Sequence, residues 1–316
     1  MRLVVALGGN AVSPSGEVDS IGQQYAHTQQ TVAVLADLIQ SGHHVAVTHG
    51  NGPQIGNALR RVELARTHKV YPLPLDIIGA DVQGGMGYMI AQCLTNELSA
   101  RGDRRSCAAL VTMVRVDPGD PAFARPTKPI GSFMTQEDAA RRAAADGWIV
   151  AEDAGRGWRR LVPSPSPREV VSLPLIRRCF DAGDLLVVCG GGGVPVVRQP
   201  DGRLAGVEVV IDKDRTSALL ALGLEADTLA IVTSVDQVAI DFGKPTARRI
   251  DRTYVQAVRG WLKEGQFPAG SMGPKIEAAV EFVEQAKAES ARVLITSIDR
   301  LAEALAGRGG TTITRA

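Results

Sequence analysis

Short apolar runs alternate with longer stretches of helical period along most of the chain. Residues 3–7 (LVVAL) form a continuous apolar run of strand length, whereas Ile21, Tyr25, Val32, Leu35 and Ile39 fall on one face of a helix over residues 21–40. The same reading predicts strands over 44–48, 106–116 and 184–189 and helices over 84–99 and 168–182. After Gly206 it predicts strands over 207–211, 228–233 and 293–297 and helices over 214–222, 253–264 and 274–288. Such alternation predicts a three-layer α/β/α sandwich around a mostly parallel central sheet.

Between residues 117 and 167 the rhythm fails. Pro118, Pro121, Pro126, Pro129, Pro163, Pro165 and Pro167 cluster there around one short helical stretch. An interruption of this length inside a sheet domain is usually functional, and it is read as an inserted lid subdomain. The predicted organisation is therefore two lobes: residues 1–205 as an amino-terminal lobe carrying the lid at 117–167, and residues 206–316 as a carboxyl-terminal lobe.

Composition narrows the class of ligand. The chain has 316 residues, 45% hydrophobic and 22% charged, enough for two sizeable cores. Thirty-five basic against thirty-four acidic residues leave a net charge of +1. That balance removes the electrostatic case for a nucleic-acid or anionic-membrane partner and favours a small molecule. No run approaches the ~20 apolar residues of a membrane span. The start MRLVVALGGNA enters a strand with no export signature, so a cytoplasmic protein is expected. Cys93, Cys107, Cys179 and Cys189 lack CxxC spacing and lie in apolar surroundings, which predicts buried, reduced thiols.

Three glycine-rich loops each follow a predicted strand: Gly8, Gly9 and Asn10; Gly50, Asn51 and Gly52; and the run that includes Gly191 and Gly192. In a parallel sheet all three lie at the carboxyl edge, where open α/β folds bind ligands. Without a Cβ, glycine lets backbone N–H groups approach an anion closely. The loops spell neither GxGxxG nor GxxxxGK[ST], which disfavours a nicotinamide dehydrogenase and a P-loop NTPase.

Lysine usage is a separate clue. Among 28 arginines stand only 7 lysines, and four of these occupy motif-like settings: Lys128 in RPTKPIG, Lys213 in VIDKD, Lys244 in FGKP and Lys275 in GSMGPKIEAA. A compact point charge is what the guanidinium fork replaces poorly. Lys213 and Lys275 fall at helix starts, where positive charge opposes the helix dipole unless an anion compensates. Asp212 and Asp214 flank Lys213; either could orient lysines or meet a nucleotide-bound magnesium, and Asp212 could simply cap a helix. His49 is the histidine of the glycine loops and fits either a substrate contact or a structural hydrogen bond. Phosphoryl transfer to an ionised carboxylate requires alignment and charge neutralisation but no general base, matching loops and lysines.

The strings VVALGGNA, THGNGPQIGN, DPAFARPTKPIGSF, EDAGRGWRRLVPSPSP, CGGGGVPV, VEVVIDKD, FGKP and GSMGPKIEAA resemble, in this order, the motifs of carbamate kinases in the amino acid kinase superfamily. The resemblance covers nearly the whole chain, and the PTKPIG, GWRR and VPSP motifs separate it from acetylglutamate and uridylate kinases. It implies an ATP-dependent phosphotransferase that reversibly converts ATP and carbamate to ADP and carbamoyl phosphate, often run toward ATP in arginine breakdown, and a homodimer. Gly8, Gly9, Asn10 and Gly52, with the other loop residues Gly50, Asn51, Gly191 and Gly192, would hold carbamate and the phosphoryl group. Lys213 and Lys275 would neutralise its charge, Asp214 would organise those lysines, and Lys128 would reach in from the lid. The nucleotide would rest near Thr233, Val235, Asp236, Phe242 and Met272, its phosphates near Lys213 and Lys275. Magnesium would arrive with ATP or ADP, without a metal site of the protein's own. Ser132, Met134, Ser234 and Asp241 depart from frequent family residues. The alternatives are a related kinase for another small carboxylate or carbamoyl compound, and a non-catalytic ligand-sensing subunit.

Overall fold

The apolar run at the start of the chain becomes the middle of the molecule. The computed structural model describes residues 1–9, 12, 20–65, 68–153, 155–268 and 270–316. The chain begins with β1 (Arg2–Leu7), α1 (Ile21–Gln40), β2 (His44–His49), α2 (Gly52–Ala65), α3 (Leu75–Ala100), β3 (Cys107–Ala109) and β4 (Met113–Val116). The 117–167 segment contains β5 (Lys128–Met134), α4 (Gln136–Asp146), β6 (Ile149–Glu152) and β7 (Trp158–Val162). Then come β8 (Pro167–Val170), α5 (Leu173–Ala182), β9 (Leu185–Val187), β10 (Val194–Arg198) and β11 (Leu204–Gly206). The remainder is α6 (Lys213–Gly223), β12 (Thr228–Val232), β13 (Ala239–Ile240), β14 (Arg248–Arg249), β15 (Arg252–Tyr254), α7 (Val255–Lys263), α8 (Met272–Gln285), β16 (Arg292–Thr296), α9 (Leu301–Leu305) and β17 (Thr311–Thr314).

Among the described residues, eight strands form one sheet in the order β15-β17-β16-β12-β1-β2-β9-β3. The six from β16 to β3 run parallel, and β17 is antiparallel to β16. This is the expected mostly parallel α/β sandwich. Residues of β1 alternate between its two layers: Val4 and Ala6 join the core containing Phe180, Leu220 and Phe282, while Leu3, Val5 and Leu7 join Leu35, Ile39, Ile90 and Leu94. A strand covered on both faces has no polar side to show, which is why LVVAL is continuous rather than alternating.

Local signals set the helix starts. Ser20 and Gln23 form a reciprocal capping box at α1. Asp212 caps α6 through the Asp214 N–H. In the insert, β5, β7 and β6 make a small sheet, and Ile130 and Val162 pack it onto Ile55 and Leu59 of α2.

Several expectations need correction. The run 106–116 is two strands in different sheets, because the chain leaves the central sheet after Leu110 and enters a second sheet at Met113. The predicted helix over 168–182 begins as β8, whose Pro167 sits in extended backbone, and turns helical only at Leu173. Residues 207–211 are not a strand; Val209 and Ile211 are buried as an irregular segment leading to α6, so their apolar character reports burial alone. Helix α3 starts nine residues before the predicted 84, its glycines tolerated because Gly87 lets it lie against Ala109, where a Cβ would come within 2.9 Å. All four cysteines are free, but Cys107 and Cys179 are only partly buried.

Candidate functional site

Four neighbouring parallel strands, β12, β1, β2 and β9, deliver their following loops to one edge of the sheet. The ladder continues into the loops themselves. Gly8 N–H donates to the Val232 carbonyl and Gly50 N–H to the Leu7 carbonyl, each at 2.9 Å. Gly8 and Gly9 therefore stand beside Gly50; Asn10 lies outside the described residues.

Above this edge lies a cavity of about 200 Å³, bordered by Gly50, Asn51, Gly52, Gly191, Lys128, Arg159, Lys213, Asp214, Ser271 and Lys275 among others. Gly191 has φ 63°, and a Cβ on it would fall 2.1 Å from the Asn51 amide nitrogen, so glycine is required on both counts. Gly192 is buried behind it, its carbonyl accepting from Thr216 Oγ1 at 3.0 Å.

The charged centre is built from two helix starts that face each other. Asp214, in the first turn of α6 and with only 4% of its side chain exposed, accepts from Lys213 Nζ at 2.5 Å and from Lys275 Nζ at 3.3 Å. Lys275 Nζ also reaches the Ser271 carbonyl at 3.3 Å. One buried carboxylate thus holds two ammonium groups at the dipole-opposed ends of α6 and α8. Asp212 has two roles: Oδ1 accepts the Asp214 N–H at 2.9 Å and Oδ2 accepts Lys128 Nζ at 2.9 Å, tying the insert to α6. Burial alone would raise its pKa, but Lys128, Lys213 and the backbone N–H outweigh it and bring the carboxyl to about 2.

His49 is buried at the end of β2. Its Nδ1 is 3.0 Å from the Gly50 carbonyl, and Nε2 has no hydrogen-bond partner among the described residues. Burial lowers its pKa to about 4, against the opposing effect of the Gly50 carbonyl and with a further push from Lys213. It is therefore neutral near pH 7, with Nδ1–H donating to Gly50 and fixing the loop. The geometry favours the structural role.

A second cavity of about 380 Å³ opens alongside, bordered by Thr233, Ser234, Val235, Asp236, Phe242, Phe267 and Met272, and by Ser271 and Lys275, which it shares with the first. Its volume falls within the ~300–1,000 Å³ range of small-molecule sites. Every expected nucleotide residue is on this wall except Lys213, which borders the first cavity. Lys244 instead pairs with Asp241 at 2.9 Å on the surface.

The geometry meets a known family at this point. The model of the amino acid kinase family matches residues 1–297. The chain belongs to the amino acid kinase family. It is 44% identical to the carbamate kinase of Thermococcus kodakarensis over 99% of both chains. It is 43% identical to a carbamate kinase-like protein of Escherichia coli over 98% of both. A solved carbamate kinase from Giardia lamblia bound to AMP-PNP superposes with a TM-score of 0.91 at 37% identity, covering 99% of this chain and 98% of that one.

Within this amino acid kinase, sequence reasoning missed several wall residues. Arg159 borders the first cavity, stacked on Phe133 at 5.2 Å and bonded to the Gly131 carbonyl at 3.1 Å and Asp153 at 3.1 Å. Only the GWRR string signalled it. Arg249 and Phe267 border the second cavity, and neither sits in a motif that points to a ligand.

Proposed function

We propose that the protein is a carbamate kinase, transferring a phosphoryl group reversibly between ATP and carbamate. The observation that carries this reading is Asp214 holding Lys213 and Lys275 together where a small cavity with lysines on its wall meets a nucleoside-sized one. The base and ribose would lie along Thr233, Val235, Asp236, Phe242 and Met272. The phosphate chain would pass Ser271 and Lys275 into the first cavity, where Gly8, Gly9, Asn10, the Gly50–Gly52 loop and Gly191–Gly192 hold the small substrate.

In the direction of ATP synthesis, a β-phosphate oxygen of ADP attacks the phosphorus of carbamoyl phosphate, and the bond to the carbamate oxygen breaks. Carbamate leaves as an anion, so no proton must move at the reacting atoms. The residues supply position and positive charge: Lys213 and Lys275 at the transferring group, Lys128 from the insert, with Asp214 fixing the first two. Magnesium enters as part of the nucleotide substrate. Both carboxylates of the first cavity are already engaged by lysines, which suits an ion held mainly by phosphate oxygens.

We further take residues 1–205 and 206–316 as substrate and nucleotide lobes, 117–167 as a lid, and the protein as a cytoplasmic homodimer. Among the described residues, no helix is long and apolar enough to cross a membrane. The test of function is ATP formation from carbamoyl phosphate and MgADP, read by luciferase. A folded sample that makes no ATP would reject it. A related small acceptor is the second reading, since the Escherichia coli relative is named only carbamate kinase-like; preference for another carboxylate in a substrate panel would select it.

A further inference from the structure

Helix α3 carries a buried polar side chain with no part in the chemistry above. Gln83 is 3% exposed, and its amide joins two separate segments. Nε2 donates to the Gly190 carbonyl at 3.0 Å, and Oε1 accepts the Thr112 N–H at 2.5 Å. Thr112, itself buried, extends the link: its Oγ1 accepts the Cys189 N–H at 3.1 Å and its carbonyl accepts the Val194 N–H at 2.8 Å. One glutamine therefore reaches both ends of the 190–193 loop.

That loop needs holding. Cys189 has φ 53°, a left-handed conformation that a non-glycine residue keeps only where the surroundings over-determine it, and Gly191, Gly192 and Gly193 follow at 63°, 94° and 89°, values open to glycine. A Cβ on Gly190 would lie 2.2 Å from His49 Nε2 and 3.1 Å from Gln83 Cγ, so the loop is seated directly on these two side chains. Its exposed face, Gly191, borders the first cavity beside Asn51 and Lys213. The sequence of contacts runs from helix α3 to the amide, from the amide to the loop, and from the loop to the wall of the first cavity.

We propose that Gln83 is a positioning residue for phosphoryl transfer, its amide locking the Gly190 carbonyl and the Thr112 N–H and so fixing where Gly191 presents its backbone to the small substrate. The assignment rests on the kinase reading for its functional consequence, though not for its geometry.

Gln83→Glu supplies a readout that a general packing role does not. A neutral carboxylic acid can donate its O–H to the Gly190 carbonyl and accept from Thr112 N–H, reproducing the amide. The ionised form can only accept, and it sets a negative charge against the Gly190 carbonyl. Burial raises the pKa of a carboxyl in such a place. His49 is neutral above about pH 4, burial pushes the Cys189 thiol up to about 12 against the Thr112 hydrogen bond, and burial pushes the thiol of Cys107, which with Tyr88 borders the same surface pocket as Gln83, up to about 11.

The experiment measures KM for carbamoyl phosphate and for ADP from about pH 6 to pH 9 in wild type, Gln83→Glu and Gln83→Met. Relative to wild type at each pH, Gln83→Glu should have a near-normal KM for carbamoyl phosphate at the acid end and a KM raised about tenfold at the alkaline end, with KM for ADP little changed. Gln83→Met, which keeps the volume but neither hydrogen bond, should show the raised value at every pH. A Glu variant without this pH dependence, or equal rises in both KM values, would overturn the proposal. If wild type makes no ATP, the kinase reading fails and the geometric assignment is judged by hydrogen exchange. The amides of residues 192–194 should then exchange about tenfold faster in Gln83→Met, and unchanged protection would overturn it.

Discussion

Replacing Asp212 by Asn separates two jobs that one carboxylate performs. Asn caps a helix about as well as Asp, so the bond to the Asp214 N–H survives, but an amide facing Lys128 loses the charge that ties the insert to α6. The carboxyl stands at about 2 instead of its usual 3.8, which corresponds to about 2 kcal/mol of stabilisation at neutral pH. Lys128 keeps 36% of its side chain exposed, so water screens part of this. We expect Asp212→Asn to destabilise by ~1–2 kcal/mol and Asp212→Ala by ~1 kcal/mol more for the lost cap. The depressed pKa means that the stabilisation is complete above the unfolded-state value and is lost as pH falls through about 2. Wild type should therefore lose stability between about pH 4 and pH 2 more steeply than Asp212→Asn. Urea unfolding followed by tryptophan fluorescence reads this directly, since Trp148 and Trp158 lie in the 117–167 insert and Trp261 on α7. Equal stability of wild type and Asp212→Asn at pH 7, with parallel acid limbs, would refute the reasoning.

Lys213→Ala and Lys275→Ala should each lower kcat by roughly 10²–10³-fold with a much smaller change in KM, because preorganised charge acts on the transition state; steady-state ATP formation checks this, and equal losses in both parameters would count against the assigned role. Phe242 is 74% exposed on the wall of the second cavity, and under the proposed function it would cover a nucleotide base. Phe242→Ala should raise KM for ADP roughly two- to tenfold with kcat retained, and an unchanged KM would remove Phe242 from the nucleotide site.

Strands β1, β2, β9, β12 and β16 of the central sheet were legible because they are buried on both faces and read as apolar runs of strand length, whereas β15 and β17 were not read as strands. Helix α1 was legible to the residue through its face periodicity alone, and the Ser20–Gln23 capping box that sets its start became visible in the structure. Helix α2 was not, since Gly52, Pro53 and Gly56 mimic a loop, although the helix begins at Gly52. The 207–211 segment shows the converse error: apolar residues line an irregular path, and burial without a partner strand looks the same in sequence. Within the site, the lysines stood out against a background of arginine, and Asp214 stood out through its place beside Lys213. Arg159, Arg249 and Gln83 did not, because an arginine among 28 carries little signal and a glutamine inside a helical run looks like a solvated position until the chain folds around it.

The adjacency of β12, β1, β2 and β9 acts as a ruler. Neighbouring strands lie ~4.8 Å apart, so the loops that would meet nucleotide and small substrate are anchored within three such intervals, or ~14 Å. β12 and β1 pair in register from Thr228 to Val232, so their anchor points cannot be drawn apart without breaking that ladder. Under the proposed function, any closing on substrates would be left to changes in sheet twist, to loop tips and to the insert. The gap across which the phosphoryl group must travel is set when the backbone folds, before any ligand arrives.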